Sequence, residues 1–240
     1  MDTKADEIDA NSGYALHRNT FTTRAGEEIC AELRELGLRR SFSRNEFLFT
    51  TGTPSDHVLL LERGLAKVIL PGNGRDLVAG IYGPGELIGE QGVLFAEQRS
   101  ASVEALMPVE ATRISGRVFQ DFLTRNPRIL RVLYSVLAER LRKADHRQVS
   151  LASQDVQTRV ARQLLAWVEA LGQATDEGIA ITGLSRKDLS QCIGAGETTV
   201  DSVLKDLTAR GLVLTHWRKY VLPSPQRLRE LIARPQRATT

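Results

Sequence analysis

Between residues 38 and 114 the apolar positions come in short runs: 46–49, 58–61, 65–70, 77–82, 100–105 and 109–114. Turn formers separate them at Gly52-Thr53-Pro54, Gly72-Asn73-Gly74, Gly83-Pro84-Gly85 and Met107-Pro108. Short runs punctuated this way predict an antiparallel sandwich or barrel, and Asn73-Gly74 is a strong hairpin-turn pair. Ahead of this region Ile29, Leu33 and Leu36 recur at helical spacing, which predicts a helix over 24–36 ended by Gly37. Residues 1–20 show no periodicity and read as disordered.

After the β region the period changes. A helix is expected from Val118 to the break at Asn126-Pro127, then one long helix over 128–151. Along it Leu130, Tyr134, Leu137, Leu141, Ala144, Gln148 and Leu151 alternate at spacings of four and three. That is a heptad seam suited to packing on a second copy, with Gln148 as a polar register residue. The other reading is a helix lying along its own domain. A further amphipathic helix is predicted over 156–171, a loop over 172–178 and a short strand at Ile179-Ala180-Ile181.

The next segment is the most ordered by local signals. Ser185 followed by Asp188 has the capping-box arrangement. Leu189, Cys192 and Ile193 make a buried face, Gly194-Ala195-Gly196 a tight turn, and 197–209 a second helix with Val200, Val203, Leu204 and Leu207 inward. This is the helix-turn-helix plan, whose second helix can enter a DNA major groove; an αα-hairpin without a DNA role is the alternative. Residues 211–222 read as a two-stranded wing with a basic tip at Arg218-Lys219.

Charge sharpens this division. The 240 residues carry a net +3. Residues 1–150 hold 20 basic and 20 acidic side chains, and from Arg210 onward seven basic residues face one acidic. A neutral first part and a basic end fit different tasks, the second compatible with a polyanion. No apolar run is long enough to span a membrane or to serve as a signal peptide, so the expected location is cytoplasmic. Cys30 and Cys192 form no metal-binding spacing.

One stretch carries ligand chemistry. Gly89-Glu90-Gln91 opens a short helix, and Arg99-Ser100-Ala101 follows. Glycine admits close backbone approach, helix-opening amides favour an anion, and Arg99 offers a fork for phosphate with Ser100 as an added donor. Glu90 offers an acceptor for a sugar hydroxyl. Here the chain resembles the phosphate-binding cassette of the cyclic-nucleotide-binding domain. With the long helix and helix-turn-helix in family order, residues 24–225 resemble the Crp/Fnr transcription regulators.

The resemblance implies an α+β protein. An antiparallel β-roll sensor of double-stranded β-helix type (21–127) precedes a dimerisation helix (128–152). A winged helix-turn-helix DNA-binding domain (153–225) and a basic tail (226–240) follow. It implies an effector, cAMP or cGMP, with no tightly bound cofactor and no metal. Gly89, Gln91, Arg99 and Ser100 would serve the phosphate and Glu90 the ribose. Arg140 would reach from the long helix towards Glu90. Double-stranded DNA, a second copy and RNA polymerase are the implied partners, with no catalysis.

Two departures stand out. cAMP-responsive members place a Thr-Ser pair against the adenine; the aligned positions are Ala144 and Asp145. The recognition helix commonly begins Ser-Arg-Glu-Thr-Val followed by Arg. Here it reads Gly196, Glu197, Thr198, Thr199, Val200, Asp201 and Ser202. Arginine is the usual reader of guanine, so an unusual operator is expected. Phosphate contact then falls to Arg186, Lys187, Lys205, Arg218 and Lys219, near Ser185. An effector-independent regulator, a regulator of another anion, and a sensor acting on a protein partner remain as alternatives.

Overall fold

The computed structural model describes residues 20–72 and 76–233. The hairpin pair Asn73-Gly74, the expected disorder of 1–19 and the end of the tail, 234–240, lie outside the described residues. The chain divides into two compact units that meet between Leu141 and Arg142.

In the first unit, α1 (Phe21–Ala25) and α2 (Glu27–Glu35) replace the single helix expected over 24–36. The break is Gly26, whose φ of +88° belongs to no helix. The roll follows as β1 (Leu38–Phe42), β2 (Phe47–Phe49), β3 (His57–Arg63), β4 (Ala66–Leu70), β5 (Leu77–Tyr82), β6 (Leu87–Ile88), α3 (Glu90–Phe95), β7 (Ser102–Ala105) and β8 (Val109–Ser115). Its two antiparallel sheets run β1-β8-β3-β6 and β2-β7-β4-β5.

β3 explains why the roll has two cores. Its run Val58–Leu61 is buried throughout, and side chains alternate across a strand. Leu59 and Leu61 pack with Leu48, Phe49, Tyr82 and Val103. Val58 and Leu60 pack with Phe119, Phe122 and Leu133 of the helices that follow. Each fully buried leucine contributes about 1.5–3 kcal/mol. Those helices are α4 (Gly116–Arg125), capped by Ser115, and α5 (Arg128–Ser153). On α5, Ile129, Leu133 and Val136 are buried, whereas Leu130, Tyr134 and Leu141 of the heptad seam are exposed.

The second unit contains the end of α5, then α6 (Val156–Leu171), β9 (Gln173–Thr175), β10 (Gly178–Thr182), α7 (Arg186–Ile193), α8 (Glu197–Ala209), β11 (Leu214–His216), β12 (Lys219–Leu222) and α9 (Pro225–Ala233). One antiparallel sheet runs β11-β12-β10-β9. Trp167 of α6 and Tyr220 of β12 are buried 6.0 Å apart. Two expectations are corrected here. The loop at 172–178 contains β9, paired to β10. The tail expected from residue 226 begins instead as α9, anchored by buried Leu228.

Candidate effector site and nucleic-acid interface

The cassette starts where β6 ends. β6 pairs with β3, and Gly89 follows at φ +84°, the left-handed region that favours glycine. A Cβ there would lie 2.6 Å from Arg99 Nη1 and 2.8 Å from the Phe49 ring. Glycine is therefore required by both conformation and space. Glu90, the first residue of α3, is buried, whereas Gln91 and Ser100 are exposed.

Arg99 is 5% exposed. Its backbone is tied to the turn before β3, its N–H donating to Thr53 O at 2.9 Å. Its Nη1 donates to Gly89 O at 2.9 Å and Nη2 to His57 O at 2.5 Å. The guanidinium carbon lies 3.9 Å from the centre of the Phe49 ring. Burial lowers the Arg99 pKa, opposed by the charges of Asp56 and Glu90; an arginine nonetheless stays protonated. Beside it His57 Nδ1 lies 2.5 Å from Asp56 Oδ1, and Arg113 Nη2 donates to Asp56 Oδ2 at 3.0 Å.

The second arginine has a different environment. Arg140 of α5 donates through Nη1 to Glu90 Oε1 at 2.8 Å, and through Nη2 to Glu86 Oε2 at 3.1 Å and Leu87 O at 2.8 Å. It also lies over Tyr82, 4.7 Å from the ring centre. Burial lowers its pKa, but Glu90, Tyr82 and Glu86 outweigh that and leave it raised. The structure thus brings Arg140 onto Glu90, as the resemblance implied, and adds Glu86, Tyr82 and Phe49, which sequence reasoning missed. Ala144 and Asp145 are exposed further along α5.

In the second unit the capping box forms: Asp188 N–H donates to Ser185 Oγ at 3.1 Å, and Ser185 N–H to Asp188 Oδ2 at 2.8 Å. The Ser185 hydroxyl also donates to Asp188 Oδ2 at 2.6 Å, so it serves the helix cap. Gly194 ends α7 in the left-handed conformation, and Gly196 opens α8. Val200, Leu204 and Leu207 are buried; Glu197, Thr198, Thr199, Ser202 and Lys205 are exposed. Thr198, Ser202 and Lys205 share one face by their i, i+4, i+7 spacing.

The cations expected at phosphates divide into two groups. Lys187 and Lys205 are exposed. Arg218, in contrast, donates Nε and Nη2 to Gly183 O at 3.3 and 3.0 Å, and Nη2 sits 3.6 Å from Asp188 Oδ2. Its guanidinium ties the wing to the cap of α7. Arg186 pairs with Asp201 of α8 at 3.1 Å, and Lys219 lies 3.8 Å from Glu177. Arg186 and Arg218, expected at phosphates, thus each have an acidic neighbour, Asp201 and Asp188, and Arg186 remains 53% exposed.

Among the described residues no helix is long and apolar enough to cross a membrane, and no group of three or more potential metal ligands occurs. Residues 39–126 match the model of the cyclic nucleotide-binding domain, and residues 158–231 that of the Crp-like helix-turn-helix domain. The CRP-like cAMP-activated global transcriptional regulator of Mycobacterium tuberculosis is 27% identical over 189 residues, covering 78% of this chain and 84% of the relative. The cAMP-activated global transcriptional regulator CRP of Salmonella typhimurium is 31% identical over 166 residues, covering 68% and 78%. Among solved structures, the c-di-GMP responsive global regulator CLP of Xanthomonas campestris aligns with a TM-score of 0.74 at 25% identity, over 82% of this chain and 99% of that one. The chain belongs to the Crp/Fnr family of transcription regulators, with a cyclic-nucleotide-binding domain ahead of a Crp-like DNA-binding domain.

Proposed function

We propose that the protein is a homodimeric regulator whose DNA binding is gated by a cyclic nucleotide held at the Gly89–Arg99 cassette. The observation that carries this is the environment of Arg99. A buried charge needs an opposite charge or it is costly. Among the described residues, the hydrogen bonds of this guanidinium go only to two neutral carbonyls. Arg140, with its side chain 15% exposed, has two carboxylates. Arg99 is thus the cation left for a ligand's anion, and a cyclic phosphodiester supplies one negative charge. Gly89 and Ser100 complete the phosphate end; Glu90, steadied by Arg140, presents its carboxylate to the ribose. Gln91 lies at the exposed rim.

The cAMP-activated relatives favour cAMP, and Asp145 could accept from the exocyclic amino group of either adenine or guanine, so cGMP is the competing effector. Occupancy would shift the population of α5 arrangements, setting two α8 helices about one DNA turn apart. Ser185, Lys187, Gly196, Glu197, Thr198, Thr199, Ser202, Lys205 and Lys219 line the DNA side, with Arg186 and Arg218 as braces. The domain division at 127, 152 and 225, a cytoplasmic location and RNA polymerase as partner belong to the same reading. The protein has no catalytic role in it.

Calorimetric titration with cAMP and cGMP tests it: micromolar binding is expected, abolished by Arg99→Gln. Operator binding measured with and without nucleotide then tests the gate. Duplex affinity indifferent to both nucleotides would refute gating. A second reading, an effector-independent regulator, is favoured by Ala144, which lacks a hydroxyl to offer a base.

A further inference from the structure

We infer that Phe49 is a positioning residue of the effector site: its ring is the shelf that holds the Arg99 guanidinium flat and in register for a phosphodiester. The inference rests on the phosphate reading of the cassette and adds a residue from a distant strand. Three features converge on the ring.

The first is the irregularity of β2. Leu48 and Phe49 are consecutive yet both buried, which a regular strand does not allow on one face. The pairing of β2 with β7 shifts register between Phe47 and Phe49. Bulges of this kind re-aim a side chain next to a site. The second is Gly89, whose missing Cβ leaves the space where the Phe49 ring and Arg99 Nη1 meet. The third is the stack itself, with the cation 3.9 Å above the ring centre and both Nη atoms anchored on carbonyls. The His57 ring, 5.1 Å from Phe49, steadies its position.

The chemical consequence is directional. The ring covers one face of the guanidinium and excludes water there. The N–H donors not spent on Gly89 and His57 remain in the plane, where two oxygens of a phosphodiester can be met edge-on. Without the shelf the same charge is present but its plane is free to tilt, and the bidentate contact weakens.

The experiment is a double-mutant cycle read by titration with cAMP and cGMP, on the full chain. Phe49→Leu should weaken nucleotide binding by about tenfold, the scale of a desolvated cation–aromatic contact. Phe49→Tyr, which keeps the ring, should stay within about twofold of the parent protein. In an Arg99→Lys background, where weakened binding is still measurable, Phe49→Leu should cost no more than about twofold, because a compact ammonium has no plane to orient. Thermal melting checks that Phe49→Leu folds; Phe49→Met, similar in volume but without a ring, replaces it if not. Equal affinity of parent and Phe49→Leu would overturn the inference. So would tighter binding, or an equal loss in both backgrounds, which would mean packing alone. A parent protein that binds neither nucleotide refutes the effector reading itself, a result distinguishable from all of these.

Discussion

At the scale of the residue, the two buried arginines obey the same rule with opposite consequences. Arg140 holds two enclosed carboxylates, Glu86 and Glu90, with its own side chain 15% exposed. Removing one partner of a buried pair typically costs about 3–5 kcal/mol, because the remaining charge is left uncompensated. Arg140→Gln should therefore lower the unfolding free energy measured in urea by an amount in that range at pH 7. An unfolding free energy equal to the parent's would show that the charge pairing is not what Arg140 contributes. His57 has its own pH signature. Burial, opposed by the bond to Asp56, lowers its pKa below the usual imidazole value. The unfolded chain then takes up a proton that the folded one resists. The stability His57 contributes is complete above the unfolded pKa of about 6.5 and is lost as pH falls from there through the lower folded pKa. Asp56, held low first by its hydrogen bond to His57, contributes in the same direction at more acidic pH. His57→Gln should flatten the decline in melting temperature between about pH 7 and 5.5 relative to the parent; identical slopes would count against it.

At the scale of the element, the wing and the helix-turn-helix are held by residues that could have faced DNA. Arg218 has φ +51°, uncommon for a residue with a side chain, and its guanidinium reaches Gly183 and Asp188. If it is a brace, Arg218→Ala should lower operator affinity while leaving the salt dependence nearly unchanged. Lys187→Ala and Lys205→Ala should each flatten the slope of log affinity against log salt by about 1.8, the signature of two lost phosphate contacts, one from each protomer. Arg218→Ala flattening it equally would return that residue to the phosphate set. The same contrast shows what was legible beforehand. The capping box, α6 and α8 follow from local spacing, so sequence alone located them. β1 reads Leu-Arg-Arg-Ser-Phe with four of five positions exposed, and a strand without a buried face leaves no period to detect. The cassette's glycine and Arg99 were visible through their motif. Glu86 and Phe49 were not, because a register shift and a partner on α5 decide their roles. The bonds of Arg218 to Gly183 and Asp188 were not legible either, because Asp188 lies 30 positions away on another element.

At the scale of the whole molecule, α5 carries two opposed faces, and these bear on the proposed homodimer. Ile129, Leu133 and Val136 face the core of the first unit. The sequence seam on the other side is bare: Leu130 is 49%, Tyr134 74% and Leu141 64% exposed. Over residues 129–136 the helix does lie along its own unit, as the alternative reading had it, but through Ile129, Leu133 and Val136 and not through the seam. An exposed apolar stripe at heptad spacing is costly unless covered, and in the proposed homodimer a second α5 with the same stripe would cover it symmetrically. Tyr134→Glu with Leu141→Glu, placed against their own copies, should turn a dimer into a monomer in sedimentation. Each substitution is on an exposed position, so the melting temperature of the isolated chain should change little. Operator affinity should fall steeply, since one helix-turn-helix then meets one half-site. Gly89, Arg99 and Glu90 belong to the first unit alone, so phosphate anchoring should survive in the monomer with weakened affinity rather than vanish. A double variant that remains a dimer would place the protein's self-contact elsewhere; one that is monomeric yet binds operator as before would remove dimerisation from the mechanism.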